Sequence, residues 1–361
     1  MIHFFVTFSD DATNSPFAHA LRDQGVPHRL FSGKVLLRYQ RRIWLLLVGL
    51  PRLLRFALRS AWRSLVRATP RPDAVVLGSH LEALVFALSA WLLRRHTRVY
   101  LLGFIFTRRS NPWLDALRRR YFGRLFRALD GILCHSRLEA GRYDELFPGA
   151  KGKFVFVPYG LHIHGHDHTA AVVDPATAPA LSAGRSGRDY ALLTRVFAAN
   201  GRPLHIVCDS ARALEGCAQA PNITVLRHCY DADYVAQLRA AGMVIVPLAV
   251  DDISAGQMVV IQAMAYRKPI IATRTATLDD YLQEGDGALL VPPGDAKALH
   301  AAVERLATDP GLAARLAEES YRTYVERHSM RAFVKHVVGA LAALEPKAPA
   351  GRDAGALSPR P

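Results

Sequence analysis

The sequence has little cysteine: four in 361 residues, Cys134, Cys208, Cys217 and Cys229, and no Cys-x-x-Cys pair among them. No thiolate pair for a zinc ribbon or a redox centre is offered, and the four read as reduced, mostly buried thiols of a cytosolic protein. A membrane span needs about 20 uninterrupted apolar residues. The nearest stretch, 74–93, carries Glu82 and is broken at Gly78-Ser79, so it reads as a strand followed by a helix. The first residues, 2–8, lack the basic start and cleavage site of a secretory signal and read as a strand. There is no repeat at a 20–50-residue period.

Acidic residues are absent from one long segment. Between Lys34 and Arg67 there are nine basic residues and no acidic one, and between Arg94 and Arg127 ten arginines face Asp115 alone. These two segments exceed the whole chain's net charge of +15, so the remainder is slightly acidic. An anionic surface partner should therefore meet the first 130 residues. Nucleic acid is the remote alternative. The chain has no helix-turn-helix, zinc or RNA-binding signature, and its charge is not interleaved with base-stacking aromatics.

What is present is alternation. With 50% hydrophobic and 21% charged residues, the chain can bury two cores, and its length suits two domains. In the first half, strands at 2–8, 28–31, 73–77, 98–104, 131–135 and 153–158 alternate with helices. Ser15-Pro16 caps and opens the first helix, and others are expected at 81–93, 111–129 and 137–146. In the second half, strands near 181 and at 204–208, 223–227, 243–247, 269–273 and 288–291 alternate with helices at 190–199, 211–218, 231–241, 257–266, 296–306 and 311–328. Such alternation implies two doubly wound parallel sheets, with ligands in the cleft outside their carboxyl ends. The expected division is a first unit at 1–160, a linker at 161–180 and a second unit at 181–328. A final helix at 329–345 can cross back to the first unit, and 346–361 is a disordered tail.

The stretch from Pro247 to Thr273 carries most of the chemistry. A strand ends at Pro247, and Ser254, Ala255, Gly256 and Gln257 lead into a helix whose free N–H groups suit a phosphate. Gly256 allows close approach of a ligand, and Gln262 lies about 1.7 turns further along. Gln262-Ala263-Met264-Ala265 and Lys268-Pro269-Ile270-Ile271-Ala272-Thr273, with Asp280-Tyr281, the run Leu289 to Asp295, Val157-Pro158-Tyr159-Gly160 and Gly184-Arg185, together resemble the signature of retaining GT-B glycosyltransferases of family 4. The resemblance covers residues 130 to 330 in order. It implies a two-domain GT-B fold with an acceptor-binding, membrane-associating unit at 1–160 and a nucleotide-sugar-binding unit at 181–328, a nucleoside-diphosphate-sugar donor with UDP the preferred carrier over GDP, and no cofactor or catalytic metal. In that family two Glu residues lie eight apart, the first contacting the donor sugar and the second the ribose hydroxyls. This chain has Ser254 and Gln262 at those places. Gln can still bind a diol, while Ser254 leaves the sugar and the stereochemical course open. It also keeps alive a degenerate GT-B protein that binds nucleotide or a partner without catalysis.

Arg185, with Arg188 beside it, suits a diphosphate clamp, because guanidinium forks match phosphate oxygens. His80, Asp10 and Asp11 follow strands at the cleft face, where a base can act on an acceptor hydroxyl; turn capping explains them equally well. His162, His164, His166 and His168 alternate along one side of an extended segment, but with no second ligand set they read as linker rather than metal site. Arg52, Arg55, Arg59 and Arg63 recur at helical spacing, with Leu53, Leu54, Phe56, Leu58, Trp62 and Leu65 filling the other faces near Trp44. This is the pattern of a helix lying in the interface of anionic lipid. The expected setting is peripheral, on the inner face of the cytoplasmic membrane, with a lipid-linked glycan as acceptor.

Overall fold

A computed structural model describes residues 1–6, 14–33, 45–108, 110–163, 173–249, 254–283 and 286–345. Two six-stranded, all-parallel sheets form the frame. In the first, β1 (Ile2–Val6), β2 (His28–Ser32), β3 (Ala74–Leu77), β4 (Arg98–Leu102), β5 (Gly131–Cys134) and β6 (Phe154–Phe156) lie in the order β2-β1-β3-β4-β5-β6. In the second, β7 (Ala180–Ala183), β8 (Leu204–Val207), β9 (Ile223–Leu226), β10 (Met243–Val246), β11 (Ile270–Thr273) and β12 (Ala288–Val291) lie in the order β12-β11-β10-β7-β8-β9. The two parallel sheets expected from the alternation are thus present. Strand order reverses between β1 and β3, and again between β7 and β10, and such reversals open the crevices in which α/β sheets bind ligands.

The central strands are short and buried on both faces because helices cover both sides, while the edge strands β2 and β9 are partly exposed. Val75, Leu77, Leu101 and Ile132 pack beneath Phe86, Phe122 and Phe126, and Phe5 lies between Phe31 and Phe86, with ring centroids 4.7 and 4.8 Å away. The first-half helices are α1 (Pro16–Asp23), α2 (Leu50–Trp62), α3 (His80–Leu92), α4 (Pro112–Ala128) and α5 (Arg137–Leu146). Ser15 caps α1 as its sequence implies, accepting the Ala18 N–H with Pro16 in the first turn. The second half carries α6 (Tyr190–Asn200), α7 (Asp231–Ala240), α8 (Gln257–Ala265), α9 (Ala296–Thr308) and α10 (Pro310–Thr323).

Two expected helices differ. Over 211–218 there is only a 3₁₀ turn, Arg212–Leu214. Gly216 sits there at φ +74°, left-handed backbone that ends any helical run. The helix expected to run to His328 is α-helical only to Thr323; Tyr324–His328 closes it as a wider π turn.

The last helix, α11 (Met330–Ala343), crosses back to the first sheet. Phe333, Val334, Val337 and Leu341 share one core with Phe4, Phe17, Leu21, Tyr100 and Leu133. Burying such side chains contributes about 1.5–3 kcal/mol each. The return path runs against the outgoing one: the Leu161 N–H donates to the His328 carbonyl at 2.9 Å, and Leu161 bridges Ser329. Gly160 permits this crossing, since a Cβ there would lie 2.5 Å from the Phe333 Cβ.

Candidate functional site

The loops at the second strand-order reversal carry most of the chemistry expected from the sequence. After β7, the 184–189 loop is tied down by backbone bonds to the strand end after β10 and by the side chains of Tyr190 and Arg188. The Tyr190 hydroxyl donates to the Gly184 carbonyl at 2.7 Å, the Asp189 N–H to Pro247 O at 3.1 Å and the Ala249 N–H to Gly187 O at 2.9 Å. Arg188 belongs to this bracing rather than to an open clamp. Its Nε donates to Ala183 O and its Nη1 to Ser186 O, both at 2.9 Å, and burial draws its pKa below the ordinary value. Arg185 stands exposed on the same loop. The expected pair is therefore split, with Arg188 shaping the loop and Arg185 presented to solvent.

After β10, Gly256 caps α8 at φ +92°, with no side-chain hydrogen bond to the helix start. A Cβ at this position would meet Val246 Cγ1 at 2.9 Å, so only glycine fits. The first N–H groups of α8 are thus left without a side-chain cap at the positive end of the helix dipole, where an anion is favoured. Ala255 and Gln257 are buried beside it. Gln262 is half-buried, and its Oε1 accepts from the Tyr234 hydroxyl at 3.1 Å. Burial raises the Tyr234 pKa, so the phenol stays protonated and the Gln262 amide is held in one orientation. Tyr234 was not picked out by the sequence; nothing in its local pattern on α7 signals the site.

The first unit closes over this corner through the start of α5. The Arg137 N–H and guanidinium donate to the two oxygens of buried Asp280 at 2.8 and 2.9 Å. The Tyr281 hydroxyl donates to His135 O at 2.8 Å and accepts the Tyr159 N–H at 2.9 Å. Glu139, buried in the first turn of α5, takes the Ser254 N–H on Oε1 at 3.0 Å. His135, Arg137 and Glu139 are further residues that the sequence reading missed. Ser136 and Glu139 have the spacing of a local capping box, which conceals a partner 115 positions away.

His80 opens α3 at the carboxyl end of β3. Its ring lies edge-on to Tyr121 and Phe122 at 6.0 and 5.3 Å, and burial, then Arg118, lower its pKa. It is a neutral imidazole at neutral pH. Asp10, Asp11, Trp44, His164, His166 and His168 lie outside the described residues. Among the described residues no group of three His, Cys, Asp or Glu is placed to hold a metal.

On α2 and the π turn Arg63–Arg67 that continues it, Arg52, Arg55, Arg59 and Arg63 are exposed, with Leu50, Leu54, Leu58, Trp62 and Val66 exposed among them. Leu53 and Leu65 instead turn inward, and Phe56 is half-buried against the core. Trp62, Trp91 and Trp113 expose 54%, 75% and 70% of their surface, an unusual use of the largest apolar side chain. No helix of the described residues is long and apolar enough to cross a membrane.

Comparison with known proteins bears on the family and the fold. Residues 191–309, which span α6 to α9, match the family described as glycosyl transferases group 1. The fold is GT-B. Sucrose-phosphate synthase from Thermosynechococcus elongatus superposes with a TM-score of 0.63 at 18% identity, over 95% of this chain and 99% of that one. Anabaena HepE, solved with UDP, gives 0.62 at 12% identity over 95% and 99%. The lipopolysaccharide outer core galactosyltransferase WaaB gives 0.59 at 13% over the same shares. By sequence, the lipopolysaccharide core biosynthesis glycosyltransferase LpsE of Rhizobium meliloti (strain 1021) is 31% identical over 74 residues, 20% of this chain and 22% of that relative.

Proposed function

We propose that the chain is a glycosyltransferase that moves a hexosyl group from a nucleoside-diphosphate sugar, UDP preferred, to a lipid-linked or membrane-proximal glycan acceptor. The observation that carries this reading is the uncapped start of α8, set at the strand-order reversal between β7, whose loop carries exposed Arg185, and β10, and inside the stretch that matches glycosyl transferases group 1. The diphosphate takes the α8 amides and Arg185, and both stabilise the charge that grows on the leaving group. The ribose hydroxyls take Gln262, held by Tyr234. In a retaining transfer the bond from the anomeric carbon to phosphate breaks, the acceptor oxygen bonds to that carbon, and the acceptor proton passes to the departing phosphate. Neutral His80 orients the acceptor hydroxyl from the first unit.

The names of LpsE and WaaB support an acceptor in lipopolysaccharide assembly, and exopolysaccharide assembly shares the same chemistry. The exposed Trp and Leu residues among the arginines of α2 support a peripheral position on the inner face of the cytoplasmic membrane. Ser254, where the resemblance expects Glu, favours the second reading, a nucleotide-binding protein without transfer. Calorimetric titration with UDP, GDP, ADP and CMP, with and without magnesium, tests the proposal. One nucleoside diphosphate should bind tightly without metal, and no binding by any of the four would sink it. Sugar release assays on the binding partner then separate transfer from binding alone.

A further inference from the structure

Three polar side-chain atoms at the mouth of α8 are buried and have no hydrogen-bond partner among the described residues: Glu139 Oε2, Ser254 Oγ and Gln257 Nε2. Glu139 is 3% exposed and Gln257 9%. An orphaned buried polar atom destabilises the fold, more so when charged, so three at one corner call for a ligand. Glu139 is aimed there by its own hydrogen bond, since Oε1 already holds the N–H of Ser254, two residues before the α8 cap. The first turn of α5 that carries it is fixed by Arg137 on Asp280 and by Tyr281 on the His135 carbonyl.

The chemistry of the three atoms selects the ligand. A carboxylate oxygen accepts, an amide nitrogen donates, and a hydroxyl does both. A phosphate is repelled by the carboxylate, so the anion seat on α8 ends where Glu139 begins. A neutral group that alternates donors and acceptors satisfies all three atoms, and vicinal sugar hydroxyls are such a group.

We infer that Glu139, from the first unit, is the residue that holds hydroxyls of the transferred sugar, with Ser254 and Gln257 completing that subsite from the second unit. The inference rests on the nucleotide-sugar reading above. Glu139 acts there as a specificity-determining residue: it binds the glycosyl ring and not the nucleotide. Because its Oε1 also spans the two units, the subsite exists only when they are together.

The test is calorimetry on the full chain with UDP against UDP-glucose, and with GDP against GDP-mannose. Glu139→Gln should weaken binding of the sugar nucleotide by roughly tenfold or more, the loss of one charge-assisted hydrogen bond, while the free diphosphate keeps its affinity within about twofold. Ser254→Ala, a smaller change, should act in the same direction. The 2-, 3- and 4-deoxy forms of the bound hexose supply the second readout. One of them should bind the parent and Glu139→Gln equally, because the hydroxyl that Glu139 holds is already gone. Equal loss of diphosphate and sugar nucleotide would make Glu139 a structural strap and overturn the inference. Unchanged sugar-nucleotide binding in both variants would also overturn it. If the parent binds neither diphosphate, the nucleotide-sugar reading fails and this inference with it.

Discussion

The two halves share one architecture and treat their surfaces in opposite ways. Of eighteen exposed large apolar side chains among the described residues, fourteen lie before residue 160 and four after it. The first half also carries the unbalanced basic segments. Their buried charges differ as well. In the second half Lys268 is buried, and burial lowers its pKa to about 8, but its Nζ donates to the Arg239 and Ala241 carbonyls at 2.6 and 2.8 Å and closes the end of α7. In the first half Glu82 is fully buried with neither oxygen partnered among the described residues, and burial lifts its pKa to about 8. A doubly wound sheet fixes where the crevice lies but leaves the outer faces free, so one half can present a small-molecule pocket and the other an apolar, cationic surface.

The widest gap to attack is the surface. Replacing Arg52, Arg55, Arg59 and Arg63 by Glu should lower partition onto anionic vesicles on the order of a thousandfold, at about 1 kcal/mol per basic residue. UDP affinity should stay within about twofold, because distant sites are independent. Continued flotation with the vesicles would reject the interfacial role of α2, and loss of UDP binding would show that the halves are not separable.

Glu82 gives the next largest effect. The folded carboxyl keeps its proton up to about pH 8, whereas an ordinary one releases it near 4.5. The unfolded chain therefore binds fewer protons between those values. Stability present below pH 4.5 falls as pH rises through that window and levels above 8. Glu82→Gln removes the penalty and should stabilise the protein by roughly 2–4 kcal/mol at pH 8 and hardly at all near pH 5. Thermal unfolding at the two pH values reads this directly, and parallel profiles for the parent and the variant would contradict it.

The smallest effect is the most selective. Arg185→Ala should weaken diphosphate binding by more than about tenfold, one charge-assisted contact, and leave vesicle binding alone. Unchanged calorimetric affinity would remove Arg185 from the site.

Much of this contrast is legible in the chain. Period and punctuation set out both sheets, since the strands are apolar runs bounded by Gly, Pro and Ser, and the glycine-led start of α8 is written in Ser254-Ala255-Gly256. What the chain conceals depends on distant residues. Leu53 and Leu65 are indistinguishable from Leu54 and Leu58 until α3 packs on one side of α2. Arg188 looks like Arg185 until the Ala183 and Ser186 carbonyls claim it. Glu139 looks like a local cap, and only the meeting of the two units turns it towards Ser254. Residues 211–218 have helical composition, but Gly216 takes a left-handed conformation that only the crossover from β8 to β9 requires.

The returning helix α11 has a consequence for biosynthesis. Its Phe333 and Val337 complete the core around Phe4 and Tyr100, so the half made first by the ribosome is finished last. The second half has all of its strands, and with Tyr324 its packed core, before α11 begins, and can close while the first still shows an open apolar face. Closure of the first half is therefore expected to wait for the 14 residues of α11, which act as its seal.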